Sequence, residues 1–299
     1  MTEIGAQDAA HLQMMFKEDG VVHVPKVFSQ KDMQIVESAF DYRIANRSAN
    51  RVDFKANGWS KGTNLTDLTN PKSWQSKEFQ ALLWDTPVAD IALACCGGRN
   101  LWLYYEQVFL KEGESRRTPW HQDTSYVPLE GDNAVRLWIT LDPLPRECQL
   151  EFIPGSHRGP LHNGSSFKGD DDTLPLYLNT KMPRLPDIEA NRDAWNIQSF
   201  DVSPGDALLF HPSILHGGAP TRPGVRRRTL VLVFFGDDAR FVRRPNTMAA
   251  DGELAVSQAG RGDLMQARVV EEEGYERSEF ASMKDGQPFR LPNLIQLRH

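Results

Sequence analysis

The second half of this chain is dominated by short apolar runs that are separated by proline, glycine and aspartate. The clearest of these runs are Leu101–Leu110, Ala134–Leu141, Leu150–Ile153, Ala207–Phe210 and Thr229–Phe235. They are rich in β-branched and aromatic residues, and most of the segments between them lack the spacing of an amphipathic helix. Short strands with turn residues between them are typical of two packed sheets or a closed barrel. The pattern therefore predicts a mainly β protein with a jelly-roll or cupin-like core.

The N-terminal part of the chain has a helical pattern instead. Apolar residues recur at three- and four-residue steps after Ser29, which is a typical N-cap residue. A second pair of helices is predicted over Ser76–Leu83 and Pro87–Cys96, closed by Gly97. We therefore expect helices between about residues 8 and 96 to flank the β core. No repeat or linker composition is present, so we expect residues 1–299 to form one domain.

Composition narrows the class of protein. The chain is 40% hydrophobic and 25% charged, as soluble globular proteins are, and its net charge of -6 argues against nucleic acid as a partner. No stretch is apolar over the ~18 residues that a membrane span needs, and Met1–Ala10 lacks the apolar centre of a signal peptide. The chain has three cysteines, Cys95, Cys96 and Cys148, and an odd number argues against a disulfide framework. This favours a reducing compartment. We expect a cytoplasmic protein acting on a small molecule, either a monomer or a homodimer.

The segment Trp120–Asp123 contains a histidine and an aspartate with one residue between them. On an extended strand, the side chains of His121 and Asp123 leave the same face. A second histidine from a distant strand would complete two imidazoles and one carboxylate, the ligand set of non-haem Fe(II) oxygenases. His216 is the expected partner because Gly217 lets the backbone turn away after it, with His211 as the alternative.

Arg227 follows His216 by eleven residues and lies in a run of three arginines. A guanidinium can grip a carboxylate at two points, and this favours a bound 2-oxo acid beside the metal. Side chains alternate across a strand, so Arg226 and Arg228 should face away from the site. Iron and 2-oxoglutarate are therefore the predicted cofactor and cosubstrate.

Five motifs in order resemble the phytanoyl-CoA dioxygenase family. They are Trp120–Asp123, the strand Arg136–Pro143, the turn Ile153–His157, Pro204–Asp206, and His216-Gly217 followed by Arg227. The resemblance covers most of the chain from about residue 10 to 235 and implies a double-stranded β-helix oxygenase that uses Fe(II), 2-oxoglutarate and O2. Many relatives have Asn-Gly ahead of the Ile153–His157 turn, where this chain has Glu147–Gln149. That departure bears on the choice of substrate rather than on the chemistry.

The resemblance also implies roles for single residues. His121, Asp123 and His216 match the iron ligands, and Arg227 matches the arginine that binds the distal carboxylate of 2-oxoglutarate. Trp138 matches a tryptophan that lines the cosubstrate pocket, and Gln107 lies where an earlier strand touches that pocket.

Three protein ligands leave three positions on the metal, two for 2-oxoglutarate and one for O2. Hydroxylation of an aliphatic C–H, with release of succinate and CO2, is the expected reaction. Iron halogenases of this fold lack the carboxylate that Asp123 provides here, so hydroxylation is favoured over halogenation. Desaturation, epoxidation and ring formation remain open, because the same oxidising chemistry serves them all.

Two other classes compete with this interpretation. A cupin-type metalloenzyme could use the triad without 2-oxoglutarate, but Arg227 and Trp138 argue against it. A catalytically silent binding protein of the same fold is disfavoured by the complete triad.

Two segments lie outside the strand pattern. Residues 158–199 form a polar insertion between two predicted strands, and we expect it to act as a lid over the pocket mouth. Residues 246–299 are charged and are expected to form an irregular C-terminal extension.

Overall fold

The computed structural model describes residues 6–48, 51–56, 60–68, 71–165, 171–177, 180–244, 283–290 and 294–298. The α-helices in these residues are α1 (Ala6–Asp19), α2 (Gln30–Ala45), α3 (Lys77–Trp84) and α4 (Val88–Cys96). The strands are β1 (Val21–Val24), β2 (Val52–Asp53), β3 (Thr63–Leu68), β4 (Asn100–Glu112), β5 (Thr118–His121), β6 (Leu129–Glu130), β7 (Ala134–Thr140), β8 (Leu150–Phe152), β9 (Gln198–Ser199), β10 (Ala207–Phe210), β11 (His216–Gly218), β12 (Arg226–Gly236), β13 (Arg240–Phe241) and β14 (Ile295–Arg298). Short 3-10 helices cover Pro71–Gln75, Asp123–Tyr126, Arg146–Cys148, Ser156–Arg158 and Glu189–Ala194.

Three helix boundaries lie at the predicted cap residues, namely the starts of α2 and α3 and the end of α4. Ser29 and Asp32 form a reciprocal capping box at the start of α2. The Ser76 hydroxyl accepts a hydrogen bond from the backbone N–H of Phe79 at the start of α3. After α4 the chain turns at Gly97, whose φ of 69° lies in the left-handed region that glycine adopts without strain. These caps account for the helix boundaries.

Two sheets face each other. The larger has eight strands in the order β1-β10-β7-β12-β4-β3-β2, with β14 also paired to β4. The smaller has four strands in the order β5-β11-β8-β9, and β13 and β6 form a separate pair. Strands that are neighbours in space come from distant parts of the chain, as in a jelly roll.

Strand β12 shows how the larger sheet divides the core. Its residues Val231 and Val233 pack in the apolar cluster between the two sheets, which also contains residues of β8. Leu230, Leu232 and Phe234 point the other way and pack with α2, α3 and α4. Successive side chains of a strand alternate between faces, so one strand serves both layers. The helices therefore cover the outer face of the sheet and leave the inner face for a site.

The insertion packs against the smaller sheet in its described part. Leu185 and Ile188 are buried with Trp120, and Tyr177 is buried with Tyr126. Opening and closing of this insertion stays a prediction. The C-terminal extension, expected to be irregular, contributes strand β14 to the larger sheet, where Leu297 is buried opposite Leu101. Residues 245–282 of that extension lie outside the described residues.

Candidate metal centre

The two histidines of the predicted triad lie side by side on the smaller sheet. His121 ends β5, His216 begins β11, and the two residues are direct partners in the antiparallel register. Partners in such a pair project from the same face, and their ring centroids are 4.2 Å apart. His211, the alternative ligand, instead accepts a hydrogen bond at Nδ1 from the backbone N–H of Ser213. It is absent from the triad cluster.

Asp123 reaches the histidines from just beyond the end of β5. The chain leaves the strand at Gln122, and Asp123 begins the 3-10 helix Asp123–Tyr126 rather than continuing the strand. Asp123 Oδ1 lies 3.5 Å from His121 Nε2, and Asp123 Oδ2 lies 3.3 Å from His216 Nε2. Among the described residues, these three side chains form the one cluster of histidine, cysteine and carboxylate groups suited to a metal ion.

Backbone carbonyls orient both imidazoles. His121 Nδ1 lies 2.7 Å from the carbonyl oxygen of Pro119, and His216 Nδ1 lies 3.0 Å from that of Ile214. A carbonyl oxygen only accepts, so each Nδ1 carries the proton and each Nε2 presents its lone pair toward Asp123. Metal-binding histidines are commonly held in this way.

The charges of the centre suit a divalent cation. Burial, together with the neighbouring His121, lowers the pKa of His216 to about 3, so this imidazole is neutral at physiological pH. Burial alone would raise the pKa of Asp123, but the Arg136 guanidinium and the two imidazoles outweigh burial and hold it below its ordinary value. The centre is therefore two imidazoles and a carboxylate around a common point.

The donor set fits Fe(II). Oδ2 of Asp123 is buried and makes no hydrogen bond within the described part of the chain. The Arg136 guanidinium, whose Nε lies 3.1 Å from Oδ2, already compensates the charge of that buried oxygen. The donor set as a whole, rather than this one atom, therefore indicates the metal. Two imidazoles and one carboxylate on one side of a cavity match the ligands of non-haem iron oxygenases, which keep open positions for other ligands.

Arg227 lies on the inner face of the larger sheet, in the wall of the same cavity. Its Nη1 donates to the carbonyl oxygen of Cys148 at 2.8 Å. Burial lowers its pKa to about 10, which leaves the guanidinium charged at neutral pH. Arg226 and Arg228 both pair with Asp142 on the opposite face, as strand alternation predicts. A side chain at Gly218 would come within 3.4 Å of Arg227 Nη2, so a glycine there keeps the guanidinium accessible.

Trp138 and Gln107 also line this cavity, which encloses about 750 Å³. Both residues pair with Val231 in the register, one from β7 and one from β4, so the three form one row across the sheet. The Gln107 amide donates to the hydroxyl of Thr66 at 3.0 Å. The structure thus brings all six predicted site residues around one cavity, and their individual roles stay predictions.

Two further charged residues of the site were not singled out from the sequence. Arg136 lines the cavity, and its Nε lies 3.1 Å from Asp123 Oδ2. Lys111 is buried and is the register partner of Arg227, and its Nζ donates to the Thr118 hydroxyl at 3.3 Å. The position of Arg136 two residues before Trp138, on the same face of a strand, is a signal that could have identified it.

The insertion is hydrogen-bonded to the segment that follows His121. The side-chain oxygen of Gln122 accepts from the backbone N–H of His162 at 2.7 Å. The Ser125 hydroxyl donates to the His162 carbonyl oxygen at 2.7 Å, and the Tyr126 hydroxyl donates to that of Ser165 at 3.0 Å. Because Tyr126 lines the cavity, the insertion forms part of the support of its wall.

Comparison with known proteins places this site in a family. A family model described as phytanoyl-CoA dioxygenase matches residues 16–229. The peroxisomal phytanoyl-CoA dioxygenase of Rattus norvegicus is 21% identical over 244 residues, which are 76% of this chain and 68% of the rat enzyme. A protein of Stutzerimonas stutzeri described as a probable alpha-ketoglutarate-dependent hypophosphite dioxygenase is 24% identical over 151 residues, 48% of each chain. This chain therefore spans about half the length of that second relative.

A solved structure shows the same fold. The epimerase SnoN, crystallised in complex with Fe3+, alpha ketoglutarate and nogalamycin RO, matches with a TM-score of 0.64 at 19% identity. The match covers 98% of this chain and 100% of SnoN. The two facing sheets are thus the cupin-like jelly roll of these oxygenases, and the predicted fold class is confirmed. Since the family model spans well over half of the chain and every motif named above, this protein belongs to the phytanoyl-CoA dioxygenase family of iron- and 2-oxoglutarate-dependent oxygenases.

Proposed function

We propose that this protein hydroxylates an aliphatic C–H of a small organic molecule, with Fe(II) and 2-oxoglutarate as cofactor and cosubstrate and with succinate and CO2 as products. Its class, a 2-oxoglutarate-dependent iron dioxygenase, follows from its family. The observation that carries the proposal is the pairing, in one cavity, of the His121, Asp123 and His216 cluster with the buried guanidinium of Arg227.

Each side chain has a distinct task in this proposal. The Nε2 atoms of His121 and His216 and the carboxylate of Asp123 would hold Fe(II). Arg227 would bind the distal carboxylate of 2-oxoglutarate, with one N–H already fixed by the Cys148 carbonyl. Iron with its 2-oxo acid, when bound, supplies the chemistry that activates O2.

The cavity walls orient the cosubstrate and exclude water. Trp138 and Gln107 flank the path between the metal cluster and Arg227. Phe109, Leu150 and Phe210 give the same cavity an apolar lining. An apolar wall with a few fixed polar groups is what a small-molecule site requires.

The location and assembly of the protein form a separate part of the proposal. The cysteines Cys95, Cys96 and Cys148 are buried and free, which supports a reducing compartment such as the cytoplasm. None of the helices in the described ranges is both long and apolar enough to cross a membrane. We propose a single domain and no nucleic-acid partner, and both a monomer and a homodimer agree with the structure.

The proposed function is tested by anaerobic titration of the apoprotein with Fe(II) and then 2-oxoglutarate. A metal-to-ligand charge-transfer band should appear with the second addition, and admission of O2 should release succinate. A metalloenzyme that does not use 2-oxoglutarate would give no band and no succinate. A silent binding protein could give the band, but no candidate substrate would raise succinate above the uncoupled background. A screen of small molecules for stimulated succinate release, with product analysis by mass, would identify the substrate and the reaction outcome.

A further inference from the structure

Arg136 lies at the centre of the larger sheet, on its inner face. Strand β7 places it opposite Val233 of β12 and Phe210 of β10. The side chain is 4% exposed, so its charge is removed from water on every side. A buried guanidinium is costly unless its N–H groups find acceptors, which makes its partners informative.

Each nitrogen of the Arg136 side chain faces a different partner. Nη1 donates to the Tyr105 hydroxyl at 2.6 Å, and Nη2 donates to the side-chain oxygen of Gln107 at 3.1 Å. Nε lies 3.1 Å from Asp123 Oδ2 as an ion pair. Neither Nε nor Oδ2 makes a hydrogen bond to any other group in the described residues. The guanidinium thus spans the two facing sheets, anchored on β4 and directed at the carboxylate of the metal cluster.

We propose that Arg136 is a positioning residue that holds one oxygen of Asp123, so that the carboxylate offers the metal only its other oxygen. Oδ2 lies 3.1 Å from Arg136 Nε and also 3.3 Å from His216 Nε2, while Oδ1 lies 3.5 Å from His121 Nε2. Both oxygens therefore border the metal cluster, and the guanidinium competes with the metal for Oδ2. This inference rests on the proposed function, because it concerns how the cluster holds its metal. It assigns to Arg136 a task separate from that of Arg227.

The number of carboxylate oxygens on the metal matters for the chemistry. Two imidazoles and one carboxylate oxygen leave three of six positions open, which 2-oxoglutarate and O2 together require. A carboxylate that bound through both oxygens would occupy one of those positions. By holding Oδ2 away, Arg136 would keep the third position open.

The same contacts tie the metal cluster to the cosubstrate wall. Gln107, expected to touch 2-oxoglutarate, has its amide oxygen held by Arg136 and its amide nitrogen held by Thr66. A shift of the guanidinium would therefore move Asp123 and Gln107 together. Residues that orient metal ligands typically change metal affinity about 10- to 100-fold when they are replaced.

The test uses the full-length protein and Mn²⁺ as a stable, paramagnetic substitute for Fe(II). The affinity for Mn²⁺ is measured by electron paramagnetic resonance, and the number of exchangeable waters on bound Mn²⁺ by water-proton relaxation. For Arg136→Gln we expect binding about 10- to 100-fold weaker and about one exchangeable water fewer than in the unaltered protein. Tyr105→Phe, which removes only the acceptor of Nη1, should show the same changes to a smaller degree. Arg136→Lys keeps the charge and should restore part of the affinity.

Arg244→Gln is the matched control. Arg244 is also a buried arginine beside the cluster, but its N–H groups donate to the carbonyl oxygens of Thr124 and Val127 and to Glu130. If the Arg136 and Arg244 variants lost equal amounts of Mn²⁺ affinity, Arg136 would have only a general structural role, and the proposal would be overturned. Unchanged affinity and water number in Arg136→Gln, or tighter binding with an unchanged water number, would overturn it as well. Failure of the proposed function would look different, since the unaltered protein would then give no charge-transfer band with Fe(II) and 2-oxoglutarate.

Discussion

Replacing Arg227 by lysine tests the cosubstrate site separately from the metal site. In the structure Arg227 has one N–H fixed on the Cys148 carbonyl, and its Nη2 faces the open side of Gly218. An arginine can hold the carbonyl and a carboxylate at once because its donors form a planar fork. A lysine keeps the charge, but it has a single nitrogen at the end of a shorter side chain. That one nitrogen would have to donate both to the Cys148 carbonyl oxygen and to the carboxylate of 2-oxoglutarate. We therefore expect the loss of one charge-assisted hydrogen bond to 2-oxoglutarate.

Such a bond contributes about 1.5–3 kcal/mol, which corresponds to a Kd for 2-oxoglutarate weaker by roughly 10- to 150-fold. The Kd is measured anaerobically from the charge-transfer band as 2-oxoglutarate is added to the Fe(II) protein. The affinity for Fe(II) itself should change little, because Arg227 is not one of the three residues of the histidine and aspartate cluster.

Arg226→Lys and Arg228→Lys are the controls for Arg227→Lys. Both residues pair with Asp142 on the outer face of the sheet, away from the cavity, and lysine keeps their charge, so neither variant should change 2-oxoglutarate binding. A defect in either control that is absent from the Arg227 variant would mean that the functional face of β12 is the opposite one. If all three variants bind 2-oxoglutarate as the unaltered protein does, the assignment of Arg227 to the cosubstrate is refuted.

Four further outcomes are expected. Asp123→Asn should abolish both iron retention and succinate formation, and near-normal turnover by this variant would contradict the triad. Lys111→Met should weaken 2-oxoglutarate binding on the order of tenfold by removing a buried cation beside the cosubstrate end, whereas the exposed Lys61→Met should bind it normally. Amide hydrogen exchange in the 158–199 insertion should slow when 2-oxoglutarate and substrate are bound, and strong protection in every state would mark it as ordinary packed structure. Burial lowers the pKa of His211 to about 4, below the ~6.5 of an unfolded chain. The free energy of unfolding should therefore be highest above about pH 6.5 and fall as the pH drops toward 4. His211→Gln should reduce this pH dependence of the free energy of unfolding, as measured by urea titrations at several pH values. An unchanged pH dependence would exclude His211 as its source.

The three residues of the cluster were predictable because His121 and Asp123 are separated by one residue and His216 lies in the distant strand that pairs with β5. Two of the reasons were wrong, because Asp123 begins a 3-10 helix rather than continuing the strand, and the chain continues as strand β11 through Gly217 rather than turning away after His216. Strand alternation alone separates Arg227 from its two neighbours. The fold class was predictable from the proline, glycine and aspartate residues that separate the short apolar runs, because this pattern is visible without knowing which strands pair.

The residues that surround the metal cluster are brought there by pairing between distant strands. The sequence alone does not predict which strands pair. Strand β7 is buried on both faces, so its burial pattern alone does not tell which face lines the cavity, and only the position of Trp138 two residues later places Arg136 on that face. Its partners Tyr105 and Gln107 lie on β4, which reaches β7 only across β12. The acceptor of Arg227 is a backbone carbonyl at Cys148, and a main-chain oxygen has no residue type to mark it. Strand β14, in a C-terminal extension that was expected to be irregular, has the same origin, because its pairing with β4 is a long-range contact.

The register of the larger sheet sets the length of the site. Arg136 lies in the row of Val233, Trp138 in the row of Val231, and Arg227 is six residues along β12 from Val233. Six residues of strand span roughly 20 Å, and the long side chains of Arg136 and Arg227 reach inward from the two ends. In the proposed function, one buried cation would face the metal ligands and another the far end of the cosubstrate, with Trp138 between them. On that proposal the part of the cavity that distinguishes substrates lies on the opposite side, where Tyr126 is held by the insertion. Variation in that insertion can therefore change the substrate while the oxidising chemistry stays the same.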